Sequence, residues 1–131
     1  MADPTTPGSP LSAANAAIAR IPKHTFTIPE TSRGLDTDPK TITLRELTYG
    51  EEQQAQQAAK AHDTTVLNES AMRSIVAADG KPITWENDGK QRFYEGLSNK
   101  ARELVMQAFV DIGLPKPEGR AAFLASKKTT L

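Results

Sequence analysis

The segment from Leu97 to Pro115, LSNKARELVMQAFVDIGLP, constrains the fold of this chain more than any other. Its apolar residues Leu97, Ala101, Leu104, Val105, Ala108, Phe109 and Ile112 recur at steps of three and four. They therefore fall on one stripe of a helix, while Asn99, Arg102, Glu103 and Gln107 face away. Ser98 is placed to cap the first free amides, and Gly113 ahead of Pro115 predicts a left-handed stop that folds Leu114 back onto Phe109. Lys100 and Arg102 near the start and Asp111 near the end oppose the helix dipole, each costing roughly a few tenths of a kcal/mol when exposed. Such a stripe has to be covered, either by the rest of the chain or by another protein.

The chain has little with which to cover it. Of 131 residues, 37% are apolar and 5% aromatic, which limits the fold to one domain with a small core and a thin margin of stability. Sixteen basic residues balance sixteen acidic ones, with no long block of either sign, so a nucleic-acid footprint or a membrane-surface patch is disfavoured. Without cysteine there are no disulfides and no thiolate metal sites. Neither a signal-peptide pattern nor a run long enough to span a bilayer is present, and a cytoplasmic protein is the default expectation.

Taken in order, residues 1–22 read as a flexible arm: Met1 to Pro10 is rich in proline and hydroxyl residues, and Leu11 to Ile21 is an alanine-rich, marginal helix capped by Ser12 and stopped by Pro22. His24 to Ile28 and Thr41 to Leu47 alternate in polarity and pair as a long-looped antiparallel ribbon. At Thr48 the period changes. Thr48 and Glu51 form a capping box for a helix from Tyr49 to about His62, whose small face of Ala55, Ala58, Ala59 and Ala61 either packs lightly on the domain or approaches a partner closely.

Asn68 is then expected to cap a helix carrying Ala71, Met72, Ile75, Val76 and Ala78. The same residues fit a strand turning at Asp79-Gly80 and returning through Pro82 to Trp85; helix is the preferred reading, followed by a turn and a short extended piece from Ile83 to Trp85. Asp88 starts a brief helix through Phe93 and Tyr94, and with Trp85 these supply most of the aromatic area for the core. Residues 118–131 form either a short docking helix on Ala121, Ala122, Phe123 and Leu124 or a frayed tail. The fold class expected is α+β, mainly helical, with a small N-terminal antiparallel ribbon followed by three to four helices in a domain spanning 23–117.

Chemistry is sparse. The two histidines, His24 and His62, lack metal-ligand spacing, and His62-Asp63 has no nucleophile context, so a helix-end histidine is the better reading. Asp79-Gly80-Lys81 lacks the spacing of a phosphate loop, Asn87 to Lys90 reads as a turn, and Lys127-Lys128 lacks the interleaved aromatics that single-stranded nucleic acids stack on. No catalytic residue, cofactor or metal is expected. The residues point to a small binding or assembly protein.

The passages TITLRELTYGEE, RSIVAADGKPITW and EGLSNKARELVMQAF, read together over Thr41 to Pro117, resemble the tail assembly chaperones of long-tailed bacteriophages. The likeness lies in an extended L-R-E-x-T-x-G segment opening a helix, an x-D-G-K-P turn, and an amphipathic helix ending near proline. It implies a non-enzymatic protein of the host cytoplasm that binds and solubilises the hydrophobic tape measure protein, helps to recruit tail tube subunits, and leaves the finished particle. A homo-oligomer is compatible with it, and a minor structural protein of the tail or baseplate is the alternative. In the motif, Arg45 and Glu46 are either an edge-strand ion pair or a client contact. The family's short protein is often extended by a ribosomal frameshift near its C-terminus, where Lys127-Lys128-Thr129 could be encoded by an adenine run. The residues expected to form or border the client groove are Met72, Ile75, Leu104, Val105, Ala108 and Phe109, with Phe123 and Leu124 on the docking segment.

Overall fold

A computed structural model describes residues 18, 20–114 and 117–126. The expected arm, with its Leu11 to Ile21 helix, lies almost wholly outside the described residues. Four strands form one antiparallel sheet in the order β1 (Lys23–Thr27), β2 (Thr41–Arg45), β3 (Ile75–Ala78) and β4 (Lys81–Pro82). The helices are α1 (Tyr49–Ala61), α2 (Val66–Ser74), α3 (Gly89–Glu95), α4 (Asn99–Gly113) and α5 (Pro117–Ala125). The fold class is therefore α+β and mainly helical, but the ribbon is half of a larger sheet completed from the middle of the chain.

Alternation explains β2, since Ile42 and Leu44 are buried on the core side while Thr41 and Thr43 are only half-covered. The core is formed by Ile28, Ile42 and Leu44 from the sheet region, Ala71, Met72 and Ile75 from the middle of the chain, and Tyr94, Ala101 and Val105 from the later helices. Leu97, Leu104, Ala108, Phe109 and Ile112 pack against it, as the stripe required.

Three helix boundaries differ from the sequence expectation. The helix through Ala78 ends instead at Ser74, and Ile75 begins a strand paired with β2. Asp79 (φ 50°) and Gly80 (φ 77°) make the left-handed hairpin turn of the competing reading. Sheet pairing decides the matter: in β3 the fully buried Ile75 gains both a ladder and a place in the core, and β-branched Ile75 and Val76 suit a strand. The cap of α2 is Thr65, whose hydroxyl accepts from the Asn68 N–H at 3.1 Å, so Asn68 is not the cap. At the end of α4, Gly113 remains helical and Leu114 is extended (φ −86°, ψ 129°) and 63% exposed. The bias of a pre-proline residue toward extended backbone ends this helix, without a left-handed glycine.

Trp85, expected in the core, is half-exposed. Its ring lies 5.3 Å from the Arg73 guanidinium and 5.4 Å from the Lys90 amine, a cation–π arrangement at the surface. The alanine face of α1 is used internally: Ala55 and Ala59 are buried, while Ala61 is exposed. The C-terminal segment is helical over α5, with each of its residues exposed.

Candidate binding surfaces on helix α4

Helix α4 is held at its start by a cluster of hydrogen bonds. Ser98 accepts from the Ala101 N–H at 3.2 Å as the expected cap. The buried Asp38 carboxylate, from the β1–β2 connection, accepts from the Ser98 N–H at 2.9 Å, the Ser98 hydroxyl at 2.6 Å and the Leu35 N–H at 3.0 Å. Burial works to raise the Asp38 pKa, yet the bonds from Ser98, Leu35 and Gly34 outweigh it and hold the carboxyl below its ordinary 3.8. One side chain thus ties the ribbon loop to the helix that carries the apolar stripe.

With α4 fixed in this way, an apolar groove of about 490 Å³ is left between it and the end of β1. Leu104, Val105 and Ala108 line it from the helix; Phe26, Ile28 and Ile42 line it from the sheet side, and Gln107 and Asp111 add polar atoms. A second apolar depression of about 310 Å³ lies along another face of α4, where Met106, Val110 and Leu114 follow at steps of four beside Leu67 of α2. Leu67, Val110 and Leu114 are exposed.

The sequence-predicted client residues therefore divide. Leu104 and Ala108 are half-buried groove residues, and Val105, 1% exposed, lies deep in the same groove. Phe109 is partly buried against the core. Ile75 is completely buried, Val105 and Met72 nearly so, and all three belong to the core; unlike Val105, Met72 and Ile75 do not line the groove, contrary to the expectation. Phe123 and Leu124, 75% and 55% exposed, are on α5. Sequence reasoning missed the sheet-side wall and the outer row of α4. The Met106-Val110-Leu114 spacing was legible, but it competed with a stronger stripe for the same helix.

Arg45 and Glu46 do not pair. Glu46 is exposed, and the Arg45 guanidinium reaches the Glu51 carboxylate with two bonds of 2.7 and 2.6 Å, giving its remaining contact to the Glu46 carbonyl at 3.0 Å. Glu51 closes the capping box as well, accepting from the Thr48 N–H at 3.0 Å. Burial tends to raise the Glu51 pKa, but the Arg45 and Thr48 bonds hold it below the ordinary 4.5. This motif joins β2 to α1 and is a structural brace.

A polar cleft of about 580 Å³ lies among α2, α3, α4 and the end of α1. Several of its groups pair with one another: Tyr94 donates to Asn68 at 2.8 Å, His62 Nδ1 lies 3.2 Å from the buried Glu69 carboxylate, and Arg73 pairs with the same carboxylate, while the buried Nε of Arg102 on its wall has no hydrogen-bond partner. His62 is the helix-end residue expected, with its N–H bonded to the Ala58 carbonyl. Among the described residues no group of three His, Cys, Asp or Glu side chains is placed to hold a metal ion, and no helix is long and apolar enough to cross a membrane. Compared with known protein families, with curated proteins and with solved structures, the chain matches none.

Proposed function

We propose that this chain is a tail assembly chaperone of a long-tailed bacteriophage, which shields the tape measure protein in the host cytoplasm, helps to bring in tail tube subunits, and is absent from the finished particle. The observation that carries the reading is the apolar groove of Leu104, Val105 and Ala108 facing Phe26 and Ile28 on a chain with few apolar residues to spare. A groove beside a helix and a sheet end suits the apolar stripe of an extended helical client, which anchors through residues spaced by three and four. The resemblance over Thr41 to Pro117 supplies the identity of that client.

Co-expression tests it. The tape measure protein is expected to stay soluble with the wild-type chain and to precipitate without it or with Ala108→Arg, which fills the groove from a half-buried position. Equal insolubility with and without the chain would refute the proposal. Recovery of the chain at stoichiometric level in purified virions would favour a structural tail or baseplate component instead.

A further inference from the structure

The outer row of α4 and the helix α5 are two apolar surfaces of the same chain, each uncovered, with complementary charge. Val110 (42%) and Leu114 (63%) are exposed together with Leu67 (40%), and Glu103 and Asp111 line the same depression. On α5, Arg120, Phe123 and Leu124 stand at i, i+3 and i+4, so the two large apolar side chains flank a cation on one side of the helix. The segment from Lys116 to Lys128 carries four basic residues and one acidic one. We propose that two copies of this chain exchange their C-terminal helices, each seating Phe123 and Leu124 of α5 in the Leu67-Val110-Leu114 depression of the other, with Arg120 beside Glu103 and Asp111.

The occupant is a second copy rather than the chain's own helix for a steric reason. Two pre-proline residues, Leu114 and Lys116, separate α4 from α5, and each is biased toward extended backbone. Leu114 already adopts it. Such a bias at both positions opposes the tight reversal that would lay α5 on its own helix. Reciprocal exchange makes the interface isologous, buries both apolar surfaces twice and closes at two copies. The outer depression shares Gln107 and Asp111 with the groove assigned to the client but none of its apolar residues, and the exchange does not rest on the chaperone reading.

The full-length chain has no cysteine, which makes crosslinking clean. Sedimentation is expected to show a concentration-dependent dimer that is lost in the double variant Phe123→Asp/Leu124→Asp and in Val110→Asp. All three sites are exposed, and unchanged circular dichroism checks that the variants fold. Mixing the tail-defective and depression-defective variants should restore a heterodimer through the one intact contact. Oxidising a mixture of Val110→Cys and Phe123→Cys chains should give a covalent pair between them. A monomer at every concentration, a dimer indifferent to these substitutions, oligomers that grow without closing, or a Val110→Cys/Phe123→Cys double variant that links only within one chain would overturn the exchange.

Discussion

Arg45 shows how much one side chain can settle. It is buried at the end of β2, and its two bonds to Glu51 fix the capping box that starts α1, so strand, turn and helix share a single carboxylate. Replacing Arg45 with Met leaves that carboxylate desolvated and unpaired, and should lower stability by roughly 2 kcal/mol in urea denaturation. Combining it with Glu51→Gln should recover part of the loss, because the remaining group is then neutral. Lys90 offers a second test. Burial, reinforced by the Arg45 and Arg73 charges, pushes its pKa from 10.5 down to about 8 while its amine donates to the Arg73 carbonyl at 2.9 Å. Between those values the folded chain holds fewer protons than the unfolded one, so stability should rise with pH from about 8 to 9.5 and the rise should vanish in Lys90→Met. Tyr94, raised to about 12 by burial, acts in the opposite direction only above its ordinary 10.0.

Elements that were legible in the sequence are those in which local signals agree with tertiary placement. The Thr48-x-x-Glu51 box and the stripe from Leu97 to Ile112 each led to a helix at the expected place, and alternation marked β1 and β2. The stretch from Ala71 to Ala78 could not be read in this way, because its apolar residues fit a helical and an extended period equally until β2 provides a pairing edge at Ile42 to Leu44. Trp85 was misplaced for a similar reason: its aromatic area suggests burial, but two cations on neighbouring elements hold it at the surface. Ser98→Ala removes both the cap and the hydroxyl bonded to Asp38, and should cost about 1–2 kcal/mol, with Asp38→Asn giving a smaller loss. Gly89→Ala should destabilise α3, since an added Cβ would lie 2.4 Å from the Thr84 carbonyl oxygen.

For the whole molecule, the small supply of apolar residues is divided between a core closed around Ile42, Leu44, Ile75 and Val105 and surfaces left open along α4 and α5. The predicted client residues divide between the two uses, with Val105 belonging to both, a division that periodicity cannot make because a core face and a binding face share one spacing. Three depressed carboxylates knit the molecule: Asp38, Glu51, and Asp79, which accepts from the Thr41 and Lys40 amides at 2.9 Å each. Their stabilisation is complete above the ordinary carboxylate range and is lost as pH falls through the lowered folded values, so the urea midpoint should drop steeply below about pH 4. The proposed chaperone role requires that the groove between β1 and α4 receive an apolar helical client. Hydrogen exchange of the chain with and without a soluble tape measure fragment tests this most directly. Slowed exchange is expected at Phe26 to Ile28 and Leu104 to Ala108; unchanged exchange there, with protection confined to the polar cleft around Asn68 and Tyr94, would refute the chaperone role.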